Sequence, residues 1–507
     1  MMAAGQVFII IVSAFLLGRS FYNYNMAFLA WGALVPYFFI LFRMPTIKKA
    51  FFLSFTFGSI FYGTLFYWIT IVSKWVGPLG YAGWLGTFLY LTLLFSVMGI
   101  FLYKICNSLW MKVFAPPLVW VLFEWLQSKG SFGQTAGSLA YSQKAEWLVS
   151  QSAAYGGIYL LSFIIVLVNS LILGIVLLRG AHKKNQILFS GYFLAAIIVL
   201  SSWMTFLHRD RHIDDIARSS TQALVFQPNV AQYKKLSYRY SFEIFQELYK
   251  DMNTMRLINA DLYIFPESLI PGLYNQNELL YRQLAQLLPA KSYMLFGSNR
   301  RTPDKYYNSL FVMDQSGNNL QCYDKQRIVP FGEYMPFRKL IDHLLPETLQ
   351  YMGADISPGD GIKLFSTSNH ERFGVSICFE SIFPEIFYQQ HQNGSEFSVV
   401  VTNDGWFFDT IALKIHQNAT AFRAVESRKQ VLFCANTGIS SIIQPSGKIN
   451  RLIAYNSKGY MIAKIKKNTG NTYYYKHFNL FILVCAMVLL LSIVGELFLR
   501  KRFLGIK

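Results

Sequence analysis

The chain has 507 residues, of which 53% are hydrophobic, 17% aromatic and only 14% charged, a composition that excludes both a disordered chain and an ordinary soluble globule. Its net charge of +19 does not mark a nucleic-acid binder: residues 208–476 hold 30 Lys+Arg against 24 Asp+Glu, and the remaining +13 lies in the apolar blocks on either side. That excess is the signature of loops that fix topology in a bilayer.

Apolar runs at residues 7–17, 27–42, 51–72, 81–103, 109–126, 158–178, 187–206 and 478–499 predict about eight membrane spans. A helix needs ~20 apolar residues to cross the hydrocarbon core, so the first run is short. No small-residue cleavage site followed by a soluble segment comes after it, and it is read as a span rather than a signal peptide. Three blocks result: a membrane bundle at 1–206, a soluble domain at 207–477, and a closing span with a basic tail at 478–507. With residue 1 inside, the inside loops carry twelve Lys and Arg, while the outside loops before the soluble domain carry four, Arg19, Lys74, Lys129 and Lys144. The asymmetry puts the soluble domain on the outer side of a cytoplasmic membrane. The spans show no paired charges or broken helices of the kind solute pathways use. Glu124 reads as an interfacial carboxylate near the outer end of its span. The Gly-rich connection at 128–157 is either an ordinary outer loop or part of a floor beneath the soluble domain.

In the soluble block, short β-branched runs at 223–226, 262–265, 293–296, 310–313, 373–377, 397–401, 431–433 and 441–443 alternate with helical segments at 242–258, 277–288 and 411–429. Strands and helices mixed at this spacing predict layered α/β packing. Three reactive residues stand just past strand ends: Glu267 after Leu-Tyr-Ile-Phe-Pro, Lys325 in Tyr-Asp-Lys-Gln-Arg, and Cys378 closing Phe-Gly-Val-Ser-Ile. Singly, such residues have plain uses, since a free cysteine is most often a small buried hydrophobe and a loop Glu or Lys is usually solvated. Together they supply what acyl transfer by a thiol requires. A carboxylate can take the thiol proton and return it, and an ammonium can hold first the thiolate and then the oxyanion.

The segments Phe-Pro-Glu267-Ser, Tyr-Asp-Lys325 with Val-Pro-Phe-Gly-Glu333-Tyr, Ile-Cys378-Phe-Glu380, Thr-Asn-Asp-Gly-Trp406-Phe and Ala-Phe-Arg423-Ala-Val-Glu426 resemble the Glu-Lys-Cys enzymes of the nitrilase superfamily. More narrowly, with the flanking spans, they resemble the bacterial apolipoprotein N-acyltransferases. The resemblance implies a nitrilase-like αββα sandwich on an α-helical membrane bundle in the bacterial inner membrane, with the catalytic domain on the periplasmic side. It implies Cys378 as nucleophile, a thioester intermediate, and an acyl chain taken from the sn-1 position of a phospholipid, typically phosphatidylethanolamine. The acceptor would be the α-amino group of a diacylglyceryl-cysteine apolipoprotein. It implies no metal and no cofactor; apart from the resemblance, no nucleic-acid partner is expected and the chain is expected to be a monomer. Glu333 resembles the family's second carboxylate, Glu380 would hold a loop or contact substrate, and Trp406 resembles a site aromatic. Phe379 stands where the family often has Tyr, and Leu236 where Trp is expected; both bear on substrate contacts.

Residues 337–358 are unusually apolar for a loop between two motifs and are read as a mobile arm dipping toward lipid, or as a small satellite core. Cys322 and Cys434 share the outer compartment with Cys378, and all three thiols are expected to be unpaired. His416, a lone histidine in a helical run with no second metal-type ligand at suitable spacing, is given no role. The rival readings are a membrane-tethered amidase with water as acceptor and a non-catalytic scaffold or transporter.

Overall fold

The computed structural model describes residues 4–179, most of 191–206, 217–339, 343 and 354–504. The chain forms two compact units, one of Met1–Tyr67, Trp84–Asp210 and Tyr473–Lys507, the other of Trp68–Gly83 and Arg211–Thr472.

Among the described residues, six helical stretches are long and apolar enough to cross a membrane: Tyr24–Leu41, Ile47–Val76, Pro78–Ile105, Leu109–Gln127, Val149–Leu178 and Leu480–Leu499. Ala4–Arg19 is a shorter apolar helix, and the expected span at 187–206 lies partly outside the described residues. The expected eight is thus an approximate count.

Not every span is continuous, against the sequence expectation. Tyr24–Trp31 is a 3-10 helix and Val35–Leu41 an α-helix, with a turn between them. A break leaves main-chain groups that water cannot satisfy inside a bilayer, and buried amides take over. Asn169 accepts from the Leu34 N–H at 2.9 Å and donates to the Ala30 carbonyl at 2.9 Å. Gln143 donates to the Ala27 carbonyl at 3.1 Å and accepts from the Trp31 indole at 3.1 Å. Glu124 is 2% exposed and accepts from the Trp120 indole at 2.8 Å and the Leu139 N–H at 2.7 Å, so this carboxylate is buried in the protein and tied to the residues 128–157 connection.

The second unit carries two six-stranded sheets. The first has the order β12-β1-β2-β3-β4-β5 and the second β11-β10-β9-β8-β7-β6. In chain order the strands are β1 Ala217–Gln227, β2 Leu262–Ile264, β3 Tyr293–Arg301, β4 Tyr306–Asp314, β5 Asn319–Asp324, β6 Leu364–Ser366, β7 Arg372–Ile377, β8 Phe397–Thr402, β9 Val431–Ala435, β10 Ser440–Ile443, β11 Ile449–Ile453 and β12 Gly459–Lys467. β1, β2 and β3 run parallel, as do β7, β8 and β9.

Side-chain alternation along each strand decides the layers. Ala223, Val225, Leu262, Ile264, Leu295 and Leu310 of the first sheet share a core with Phe373, Val375, Ile377, Val399, Val401 and Leu432 of the second. The alternate positions Leu224, Phe226, Tyr263 and Phe296 instead meet Ile244, Leu248 and Met252 of helix Ser241–Met255 and Tyr281 and Leu284 of helix Tyr274–Ala285. Helices Pro384–Gln392 and Ile411–Ser427 cover the second sheet. The result is the four-layer αββα sandwich that the resemblance implies.

Candidate active site

Reactive side chains collect where strands of the two sheets run out. Glu267 lies just beyond β2, Lys325 directly after β5, and Cys378 directly after β7. Loops leaving the carboxyl ends of parallel strands are where an α/β sheet can project side chains without interrupting its ladder.

Lys325 is 1% exposed, and its Nζ sits 2.8 Å from Glu333 Oε1 and 3.9 Å from Glu267 Oε1. Burial pushes this ammonium down, yet the charges of Glu333 and Glu267 outweigh it and hold Lys325 well above the ordinary lysine value. A buried cation survives only with such partners. Asn308, from β4, donates from one Nδ2 to Glu267 Oε1 at 2.7 Å and to Glu333 Oε1 at 3.0 Å. The Asn403 N–H, just past β8, donates to Glu267 Oε2 at 2.8 Å, linking the carboxylate of the first sheet to the second.

The main chain at Glu267 is fixed as closely as its side chain. Lys235 donates to the Glu267 carbonyl at 3.2 Å and to that of Ser268, and burial pushes the Lys235 ammonium down to about 7, with Glu267 opposing. A Cβ on Gly297 would stand 2.6 Å from the Glu267 Cα and 2.7 Å from the Ser268 N, so β3 can approach this turn only because residue 297 has no side chain. Gly297→Ala is expected to shift the Glu267 carboxylate and lower kcat on the order of 10²-fold, the scale of a 1 Å misplacement, with a stability loss of roughly 1–3 kcal/mol. Steady-state kinetics beside thermal unfolding check this; unchanged kcat would mean that the turn absorbs the methyl.

Cys378 is half-buried and adopts φ of +52°, a left-handed conformation that costs a non-glycine residue roughly 1–3 kcal/mol and recurs at functional turns. Three groups brace it. Glu380, fully buried, accepts from the Ile377 N–H at 2.8 Å, the Gln326 N–H at 2.7 Å and the Tyr323 hydroxyl at 2.8 Å, so it holds the Lys325 loop and the Cys378 turn together. Arg423, 0% exposed, donates to the Ile382 carbonyl at 2.8 Å and pairs with Glu426 at 2.9 Å. His416 Nε2 lies 3.0 Å from the Cys378 carbonyl oxygen. Burial and the Glu267 charge raise the Cys378 thiol well above its ordinary value, with Lys325 and Thr402 pulling the other way. The resting sulfur is therefore a thiol beside a carboxylate able to accept its proton and an ammonium able to hold the resulting charge.

Of the remaining predicted residues, Phe379 packs edge-on against Phe383 at 5.1 Å. Trp406 is half-buried in the turn Asp404–Phe407, whose flanks are covered by aromatics: Trp68 meets Phe407 edge-on at 5.0 Å and Trp75 stacks on Phe408 at 5.3 Å. Leu236 is exposed. Most of the apolar arm at 337–358 lies outside the described residues. All five cysteines are free.

Residues 13–171 match the apolipoprotein N-acyltransferase N-terminal domain and residues 197–475 the carbon-nitrogen hydrolase domain. The apolipoprotein N-acyltransferase of Geobacter metallireducens is 30% identical over 97% of this chain and 95% of its own length. The chain belongs to the apolipoprotein N-acyltransferase family. It is a membrane-integrated acyltransferase with a nitrilase-type domain. The Thermotoga maritima member of the family is 26% identical over 96% of this chain and 93% of its own. An amidase of the nitrilase superfamily from Nesterenkonia AN1 is 15% identical, with a TM-score of 0.38 over 52% of this chain and 96% of that one.

Several groups in this member of the family escaped the sequence reading. Asn308 bridges two carboxylates, Lys235 braces Glu267, and His416, passed over as a lone histidine, touches the main chain of Cys378. Asn308 left a usable trace, a carboxamide inside a strand buried along nearly its whole length. Lys235 left none, since a lysine next to another lysine in a loop reads as solvated surface.

Proposed function

We propose that this enzyme moves a fatty acyl chain from the sn-1 ester of a phospholipid, phosphatidylethanolamine for preference, to the N-terminal α-amino group of S-diacylglyceryl-cysteine apolipoproteins. Glu267 takes the Cys378 proton as sulfur attacks the ester carbonyl. The Lys325 ammonium holds the oxyanion. Collapse expels the lysophospholipid alkoxide, which receives the proton from Glu267, and leaves a thioester on Cys378. Glu267 then takes a proton from the incoming amine, the tetrahedral adduct forms again beside Lys325, and its collapse yields the amide and a thiolate that Glu267 reprotonates. Splitting one ester-to-amide exchange in this way lets a single set of groups serve two unlike substrates.

What carries the reading is a buried lysine paired to Glu333 at 2.8 Å and standing 3.9 Å from Glu267, next to a sulfur on which the charges of both Glu267 and Lys325 act. Glu333 positions Lys325, and Glu380 joins the two catalytic loops. Trp406 contributes an aromatic wall to the substrate site. We place the enzyme in the bacterial inner membrane with residues 207–477 on the periplasmic side, on the strength of the twelve-to-four loop asymmetry.

Phospholipids labelled in the sn-1 or the sn-2 chain, incubated with the enzyme and a diacylglyceryl lipopeptide, test the assignment. The expected products are lipopeptide carrying the sn-1 label and an equal amount of lysophospholipid. Transfer of the sn-2 label would overturn the donor assignment, and free fatty acid formed at the same rate without lipopeptide would favour a hydrolase.

A further inference from the structure

The imidazole of His416, on helix Ile411–Ser427, lies among oxygen atoms. Its Nδ1 is 3.0 Å from Asp404 Oδ1, and its Nε2 is 3.0 Å from the Cys378 carbonyl oxygen and 2.8 Å from Ser381 Oγ. Asp404 is 1% exposed and His416 12%, and the ring stands edge-on to Phe433 at 5.1 Å. Asp404 Oδ1 also accepts from Thr402 Oγ1 at 2.8 Å, and Ser381 Oγ accepts from Thr420 at 3.0 Å.

A carbonyl and a carboxylate oxygen can only accept. A neutral imidazole has one N–H, and if that proton lies on Nδ1 facing Asp404, the Nε2 lone pair confronts the lone pairs of the Cys378 oxygen. Only the doubly protonated ring donates to both. The residue whose carbonyl it would hold is also the one in the left-handed conformation, at φ of +52°.

We propose that protonated His416, held by Asp404, is a positioning residue that clamps the Cys378 carbonyl, keeps the sulfur in its productive orientation, and lets go when the ring loses its proton. The proposal rests on Cys378 being the nucleophile. Burial opposes the charged ring, but Asp404, with help from Glu267, outweighs it and leaves His416 above the ordinary imidazole value. The other groups around the ring are the Cys378 thiol turn, the Ser381 and Thr420 hydroxyls and the Phe433 ring, none of them cationic. With a raised value, the charge is present below that value and lost as pH climbs through it.

The test is single-turnover acylation of the full-length enzyme in detergent, with phosphatidylethanolamine vesicles as donor and the Cys378 peptide read by mass spectrometry, between about pH 6 and 9.5. The wild type is expected to lose rate on the alkaline side. Asp404→Asn, which removes the anion but not the ring, should move that loss about one pH unit lower. His416→Gln, whose carboxamide can donate to the same carbonyl at any pH, should abolish the loss. His416→Ala should slow acylation about tenfold on the acid side, where the wild-type ring is charged, and converge on the wild-type rate at the alkaline end, one pKa-unit equivalent of lost orientation energy. An alkaline loss that is the same in wild type, Asp404→Asn and His416→Gln overturns the proposal; Lys235, at about 7, would produce that result. The Asp404→Asn comparison decides alone should a His416 variant not fold. No acyl group on Cys378 in the wild type would remove the nucleophile itself, and the clamp with it, an outcome distinct from an adduct with an unmoved pH limb.

Discussion

Cys378→Ser is expected to abolish acyl-enzyme formation, lowering kcat on the order of 10⁴-fold or more, while leaving the unfolding transition within roughly 1 kcal/mol of wild type. The chemical reason is the proton. Glu267 can take one from a thiol raised by burial and by its own charge, because Lys325 shares the negative charge that forms, whereas a hydroxyl in the same place is a far weaker acid. The structural reason is that the exchange barely changes volume at a half-buried position on the edge of the intersheet core, and near-isosteric swaps are tolerated. The left-handed turn stays in place, since Glu380, Arg423 and His416 hold main-chain atoms and not the sulfur. Turnover measured with phospholipid and lipopeptide, beside a melting curve, checks both halves. Native-rate transfer by the serine variant would mean that another group carries the acyl chain.

Lys325→Met should lower kcat by on the order of 10²- to 10³-fold, the usual loss when one oxyanion donor is removed, and it should also destabilise the domain by about 3–5 kcal/mol, because it strips a buried cation from its partners. Two carboxylates, Glu267 and Glu333, then share one Asn308 amide group at 2.7 and 3.0 Å, with only Lys235, bonded to the Glu267 carbonyl, left as a nearby cation. Like charges this close raise the value of one of them. A carboxyl raised in the folded state contributes stability at low pH that is lost as pH rises through its folded value, so the variant should be least stable above neutrality and recover toward about pH 5, near the ordinary glutamate range. Denaturant unfolding at several pH values reads this directly. A variant equally stable across that range would mean that Lys325 does not neutralise the pair. Lys325→Ala should show the same kinetic loss with an added cavity cost.

Much of the sandwich was legible because buried strands write themselves in β-branched residues. Seven of the eight predicted runs fall within observed strands and the eighth, 262–265, overruns β2 by one residue, while the helical segments at 242–258, 277–288 and 411–429 correspond to Ser241–Met255, Tyr274–Ala285 and Ile411–Ser427. The four strands that were missed are β5, β6, β11 and β12. They lie at sheet edges with one face or more in solvent, so their apolar content is too sparse for a run to stand out. In the membrane unit, hydropathy located the spans but not their interruptions. The break before Val35 is made possible by Asn169 and Gln143, residues distant in sequence whose amides satisfy the open main chain, and no local pattern announces such a partner. The burial of Glu124 was not legible for the same reason, since it depends on Trp120 and Leu139 meeting it.

At the site, Glu267, Lys325, Cys378, Glu333 and Glu380 were found through short motifs; Lys325 pairs with Glu267 and Glu333, and Glu380 bonds the main chain next to Lys325 and next to Cys378, at Gln326 and Ile377. His416 was not, because its function depends on a main-chain carbonyl 38 residues away, and a contact with a backbone atom leaves no signature in side-chain spacing. Gly297 is similar. Its requirement comes from the Glu267 main chain lying against it, which only the sheet register of β2 and β3 reveals.

The most direct test of the account is intact-peptide mass spectrometry of the full-length enzyme incubated with phosphatidylethanolamine alone. The expected result is one fatty acyl chain in thioester linkage on the peptide containing Cys378, discharged when a diacylglyceryl lipopeptide with a free amine is added. A Cys378 peptide that stays unmodified while lipopeptide is still acylated would contradict it.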